Sequence, residues 1–137
     1  MNPKELCSKL NGVIGFPVTP FNDDHSLDLD GHRENVRYML EEPMCALVAA
    51  GGTGELYSLD PDEVRQVVEA TIEEAAGRAP VIAGVGFAGG LAKRLARQAA
   101  YSGADGVLAF PPYYPNAEMD GLVDYYSEIA DASGLGV

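Results

Sequence analysis

The chain has 137 residues, of which 47% are apolar and 22% charged, the balance of a globular domain with a real core rather than of a disordered segment. Its formal net charge of −12 argues against nucleic acids and anionic membranes as partners, both being polyanions, and reads first as a solubilising surface. Apolar runs break within about ten residues, whereas a bilayer-spanning helix needs about 20.

Residues 1–11, MNPKELCSKLN, hold no apolar h-region and read as an N-terminal extension without a secretory signal. Cys7 and Cys45 fit no metal or redox spacing, and His25 and His32 stand seven apart in a polar stretch. The expectation is a cytoplasmic protein with reduced thiols, no metal and no cofactor.

The elements follow in order. GVIGFPV (12–18) reads as a first strand, and residues 30–42, with Val36, Met39 and Leu40 on one face, as a helix stopped by Pro43. CALVAA (45–50) is a second strand. Asp60-Pro61-Asp62-Glu63 then supplies an N-cap, a proline at N1 and a glutamate at N3, the signature of a capping box. Val64, Val67, Val68, Ile72 and Ala75 form the apolar stripe of that helix, and Gly77 is placed to close it in the left-handed conformation. PVIAGVG (80–86) is a third strand, followed by a stripe at Leu91, Leu95 and Ala99 ending at Gly103. GVLAF (106–110) is a fourth, followed by Met119, Leu122, Tyr126 and Ile129 ending at Gly134.

The strands are apolar on both faces, as parallel strands covered on both sides are. They recur about every 30 residues, the size of one βα unit. Two architectures use this repeat, a closed (β/α)₈ barrel and an open doubly wound sheet. A barrel takes eight units and about 250 residues; this chain carries four, and its last residues, SGLGV, look like the entries to the earlier strands. The expected fold class is α/β, with residues 12–137 as the N-terminal half of a TIM barrel.

Three strand-exit segments gather the candidate chemistry. Gly51, Gly52 and Gly54 flank Thr53 after the second strand, at the end of an α/β sheet where ligands bind. Such a loop can turn its N–H groups outward as a nest for a carboxylate or phosphate, with the Thr53 hydroxyl as a further donor. It lacks the GK[ST] ending of a nucleoside-triphosphate loop. Glu55 would repel an anion if it pointed inward, so its expected role is to accept hydrogen bonds from neighbouring backbone and fix the loop. A strained turn without ligand is the competing reading. Thr19, in FPVTPF after the first strand, either faces the pocket or stabilises a turn. Tyr113 and Tyr114, in PPYYP after the fourth, either relay protons or pack under the next helix. Gly84-Val-Gly86-Phe-Ala-Gly89 matches GxGxxG, but it follows the third strand, and Asp105 precedes a strand instead of ending one; a βα turn needing positive φ is the better reading.

FPVTPF, AAGGTGELYSLDPDE, RAPVIAGVG, GADGVLAFPPYYP and SGLGV, in order over residues 12–137, resemble the N-terminal half of the dihydrodipicolinate synthase / N-acetylneuraminate lyase family. The resemblance implies a (β/α)₈ barrel, a homo-oligomer (a tetramer in the family), and a Schiff base between a lysine and the ketone of a 2-oxo acid. It implies that Thr53 and the loop 51–55 hold the substrate carboxylate, that Thr19 neighbours the site, and that Tyr113 and Tyr114 match the family's tyrosine pair as catalytic candidates. Gly52 stands where the commoner G-T-T-G-E form has its first threonine. With FPVTPF and PVIAGVG, this is similar to the 5-dehydro-4-deoxyglucarate dehydratase branch, which converts a keto-diacid to 2,5-dioxopentanoate with loss of water and CO₂. Tyr114 departs from that branch, where the residue is usually aliphatic, and looks more like the synthase and aldolase branches. The family's Schiff-base lysine lies on later strands; Lys4 and Lys9 precede the first strand here and Lys93 belongs to a helix, so the chain alone is expected to form no imine. An inactive half-barrel that assembles through its open edges is the alternative of another class.

Overall fold

The computed structural model describes residues 1–112 and 117–137. Strands β1 (Val13–Gly15), β2 (Met44–Ala49), β3 (Val81–Val85) and β4 (Gly106–Ala109) make one parallel sheet in the order β1-β2-β3-β4. Helices α2 (Leu29–Met39), α3 (Pro61–Ala75), α4 (Gly89–Ser102) and α5 (Met119–Ser133) follow them in turn. This strictly sequential order separates the two architectures the sequence allowed. A doubly wound sheet reverses its order at a switch point; adjacent strands in chain order with helices on one side are the wall of a barrel. A parallel bridge between Gly106 and Gly136, with the Val107 N–H donating to the Gly136 carbonyl at 2.9 Å, extends the same order beyond β4.

Alternation along the strands sends Leu47, Ala49, Val81, Ala83, Val85 and Val107 outward into the core shared with the helices. Ala46, Val48 and Ile82 point the other way and form a separate small cluster. Around it Ile14, Phe16 and Leu108 line a groove of about 480 Å³ on the concave face. Helix α1 (Pro3–Lys9) closes the groove below, burying Leu6. Asn2 caps α1 by accepting from the Glu5 N–H, with Pro3 in the first turn. These residues, read as an extension, thus carry their own cap–proline–acid helix signal.

The capping box of α3 is present: Asp60 Oδ1 accepts from the N–H groups of Asp62 and Glu63 at 2.8 and 2.9 Å, and Glu63 Oε2 accepts from the Asp60 N–H at 2.8 Å. The closing turn begins one residue before Gly77, since Ala76 is already left-handed at φ 47° and Gly77 follows at 76°. Helix α2 is capped by Asp28 and ends at Met39, shorter than the span 30–42. Strand β1 stops at Gly15 rather than Val18, because Pro17 and Pro20 bring no N–H to a ladder. In α5 the buried face runs through Tyr125 and Ile129, while Met119 at the start of the expected stripe is 72% exposed.

Between α2 and α3, His32 is 1% exposed. Its Nδ1 lies 3.1 Å from the Val18 carbonyl and its Nε2 2.8 Å from Thr71 Oγ1. A carbonyl only accepts, so Nδ1 carries the proton, while the one hydrogen of the Thr71 hydroxyl is shared between Nε2 and the Val67 carbonyl, 2.7 Å away. Burial pushes this imidazole below its ordinary pKa of 6.5; the Val18 carbonyl pulls it upward and the Arg33 charge pushes it down. An unfolded histidine therefore protonates first, at about pH 6.5. The unfolded state binds more protons below that point, so stability falls as the pH drops through it, and the loss levels off only below the depressed native value. Denaturant midpoints between pH 7.5 and 5 should show a decline that His32→Gln flattens; parallel wild-type and variant curves would show that His32 contributes nothing to it.

Candidate functional site at the carboxyl rim

The backbone leaves β2 through Ala50, left-handed at φ 50°, and enters a 3₁₀ turn at Leu56–Ser58 through Glu55, left-handed at φ 56°. The loop between them closes on itself: the Glu55 N–H donates to the Gly52 carbonyl at 3.1 Å and the Leu56 N–H to the Gly51 carbonyl at 3.2 Å. Among the described residues, none accepts from the N–H groups of Gly52, Thr53 or Gly54. Gly52 and Thr53 are exposed, Gly51 and Gly54 buried. Three consecutive amides without an acceptor among the described residues, beside one exposed hydroxyl, form a donor set suited to a carboxylate.

The glycines serve close approach more than positive φ. A Cβ at Gly51 would sit 2.9 Å from Val48 Cγ1 and 3.1 Å from the Phe16 ring, and one at Gly54 3.1–3.2 Å from backbone atoms of Ala50, Gly51 and Pro17. At Gly52 a Cβ would meet nothing within 4 Å, so the side chain absent here leaves open space beside the free amides.

Thr19 is buried, and its hydroxyl donates to the Gly54 carbonyl at 2.8 Å. Of its two readings, the turn-stabilising one matches this geometry: the hydrogen is engaged by the loop, leaving Oγ1 an acceptor. Glu55 does not fix the loop by accepting from backbone as expected; its carboxylate accepts from the Ser58 hydroxyl at 3.3 Å and is exposed. The loop's own amides and Thr19 hold it instead. Tyr113 and Tyr114 lie outside the described residues.

The GxGxxG segment is filled by protein. A Cβ at Gly84 would lie 1.9 Å from the Ala50 carbonyl oxygen, and one at Gly86 3.2 Å from both Leu56 Cδ2 and the Tyr57 hydroxyl. The expected positive φ falls on Phe87, at 73°, and on none of these glycines. The segment packs β3 against the exit of β2.

An aromatic cluster that the sequence reading did not single out joins these exits. The Tyr57 ring meets Phe87 edge-on at 4.8 Å and Phe110 at 5.9 Å. The Tyr125 hydroxyl shares its one hydrogen between the carbonyls of Phe87 at 3.2 Å and Phe110 at 3.1 Å. Burial, with smaller contributions from Tyr57 and Tyr126, pushes this phenol up to about 12. The exits of β2, β3 and β4 are thereby locked into one rim. The lysines stand away from it. Lys4 and Lys9 are on the exposed face of α1, Lys9 beside Glu5, and Lys93 on the outside of α4 donates to Glu128 at 2.7 Å.

A parallel βα wall with an amide-lined loop at its carboxyl rim defines a TIM-barrel class of protein, and comparison with known proteins narrows it. Residues 9–137 match the dihydrodipicolinate synthetase family, and the chain belongs to that family. It is 46% identical over 137 residues to a protein named probable 5-dehydro-4-deoxyglucarate dehydratase from Rhodococcus opacus, covering 99% of this chain and 45% of that one. Dihydrodipicolinate synthase from Bacillus clausii superposes with a TM-score of 0.88 at 32% identity, covering 95% of this chain and 44% of that one. N-acetylneuraminate lyase from Fusobacterium nucleatum gives 0.85 at 27%, covering 93% and 44%. The chain thus spans under half the length of the relatives it matches.

Tyr125→Phe removes the hydrogen that ties the β3 and β4 exits together. It should lower stability by about 1 kcal/mol in urea denaturation and abolish a phenol that titrates at about 12 by ultraviolet absorbance. Unchanged stability would show that the hydroxyl does not hold the rim.

Proposed function

We propose that this chain supplies the acid-binding part of a Schiff-base lyase acting on 2-oxo acids, of the 5-dehydro-4-deoxyglucarate dehydratase kind. The observation that carries the reading is the set of unpartnered amides at Gly52–Gly54 beside Thr53. The open space at Gly52 suits a longer keto-diacid, and Gly52 brings no hydroxyl to a threonine–tyrosine proton relay. The relatives that bear the dehydratase name, at 40–47% identity, agree with it.

In the proposed reaction a lysine amine condenses with the ketone, releasing water, and the protonated imine serves as electron sink. A proton leaves the carbon beside it, and the hydroxyl one carbon further on departs as water. Decarboxylation follows, and hydrolysis returns the lysine and 2,5-dioxopentanoate. The loop's part is to hold the acid end so that the reacting carbons are oriented, which is where such a site gains rate. A nucleophilic lysine needs a desolvated setting or a neighbouring cation to lower its pKa. Lys4 and Lys9 are exposed and Lys93 is paired with a carboxylate, so none of the three is the imine former.

A pyruvate-dependent synthase or aldolase is the second reading, favoured by Tyr114 and by the superposition on the synthase fold. A non-enzymatic assembly module is the third, favoured by the apolar concave face with Ile14 38% and Leu108 37% exposed.

Titration of the ¹⁵N-labelled chain with pyruvate and with the six-carbon keto-diacid should shift the Gly52, Thr53 and Gly54 amides, the diacid more strongly. Borohydride added to the same samples should leave no adduct on the chain. Shifts elsewhere, or none, would remove the acid-binding reading; a reduced adduct on Lys4, Lys9 or Lys93 would overturn the division of labour; a stronger response to pyruvate would favour the second reading.

A further inference from the structure

The strap from Phe16 to Pro20 is poor in ways to hold itself. It lies beyond the end of β1, and Pro17 and Pro20 have no N–H to donate. Yet it must be placed well, because the Thr19 hydroxyl reaches the Gly54 carbonyl from it and Gly54 lies against the Pro17 carbonyl with no room for a Cβ. At its far end the Asp28 N–H donates to the Pro20 carbonyl at 3.0 Å. In its middle the polar anchor is His32 Nδ1 on the Val18 carbonyl at 3.1 Å. The imidazole is itself fixed from behind: Nε2 is 2.8 Å from Thr71 Oγ1, which lies 2.7 Å from the Val67 carbonyl on α3. A ring hydrogen-bonded at both nitrogens and buried on all sides has one orientation.

We propose that His32 is a positioning residue for the anion-binding loop. By donating to the Val18 carbonyl it sets where the adjacent Thr19 hydroxyl meets Gly54, and so where the amides of Gly52–Gly54 point. His32 touches no substrate; it acts through the strap, from the α2–α3 interface to the rim. The inference rests on reading the loop as a carboxylate site, but its first readout needs no ligand.

Donor chemistry separates positioning from mere packing. Asparagine at position 32 can place an amide N–H where Nδ1 stands; leucine cannot. Thr71→Val removes the partner behind the ring but leaves the Val18 contact. Amide spectra and hydrogen exchange of the whole chain should therefore divide the variants. His32→Leu and Thr19→Val should shift the Gly52, Thr53 and Gly54 resonances and speed exchange of the bonded Glu55 and Leu56 amides about tenfold, the loss of one hydrogen bond. His32→Asn should restore the wild-type loop. Thr71→Val should lower the urea midpoint while disturbing the loop spectrum much less than His32→Leu does, because the Val18 contact remains. Pyruvate affinity should follow the same division, about tenfold weaker in His32→Leu and Thr19→Val and within about twofold in His32→Asn.

A wild-type loop spectrum in folded His32→Leu would overturn the proposal, as would one in Thr19→Val, which alters neither α2 nor α3 and so reports even if the leucine variant does not fold. Loss of loop order in Thr71→Val to the same extent as in His32→Leu would reduce the effect to general destabilisation and also overturn it. If the wild type binds no pyruvate, the functional reading fails, while the unliganded spectra still decide the role of His32.

Discussion

The rim depends on a backbone contact in which Gly84 lies directly against the carbonyl of Ala50. A methyl group there would fall 1.9 Å from the oxygen, with the Ala50 carbonyl carbon at 2.7 Å, and backbone on one strand cannot move without moving its neighbours. The contact lets β2 end on a left-handed Ala50 and throw its loop sideways, toward the exit of β1. There Gly54 meets the Pro17 carbonyl and Gly51 meets Phe16. Three residues with side chains, Ala50, Glu55 and Phe87, hold positive φ at this rim, a conformation costing about 1–3 kcal/mol each. They persist because the surroundings determine them several times over: by the Gly84 contact, by the loop's own amide bonds, and by the Tyr125 hydroxyl on the Phe87 carbonyl.

Much of this was legible in the sequence, and what escaped did so for physical reasons. The four βα units follow from apolar runs and caps, and the Asp60–Glu63 capping box is found atom for atom, because such signals are local. The glycine loop was legible as a place, but not the reason for each glycine. Close approach is a tertiary property, so Gly86 and Gly54 look in sequence like turn residues while the left-handed conformation sits on Phe87 and Glu55. Tyr125 escaped because Tyr126 fits a helical stripe as well; one step of helical phase, about 100°, separates a rim clamp from a neighbouring phenol. His32 escaped because flanking charges make residues 30–35 look uniformly polar, whereas Arg33 reaches out to Glu73 at 2.6 Å and the next face of the same turn is buried.

The proposed anion site sits in a chain of net charge −12. Charges farther away than a Debye length, about 8 Å at physiological salt, are largely screened, so the local arrangement decides. Among nearby carboxylates, Glu55 is engaged with Ser58 and Asp60 and Glu63 with each other's backbone at the start of α3. What lies beside Thr53 is a run of amides, Gly52–Gly54, with no acceptor among the described residues. Fixed donors need no reorganisation when an anion arrives, which is the advantage of backbone over flexible lysine for orienting an acid group.

On the same proposed reading, recognition and reaction separate along this fold. The carboxylate site, on that proposed reading, comes from one loop and the strap that leans on it, all within about 40 residues of chain, and needs only a rigid rim. A nucleophilic lysine needs walls: a desolvated pocket on every side, or a cation beside it, to lower its pKa. The concave face of this sheet provides apolar walls on one side only, from Ile14, Phe16, Val48, Ile82 and Leu108, and carries no lysine, since Lys4, Lys9 and Lys93 all lie on helices. On the proposed reading, the first four βα units of such a barrel can therefore be complete as a binding element without being a catalyst, and the relatives' greater length is where the enclosing walls and the amine would be sought.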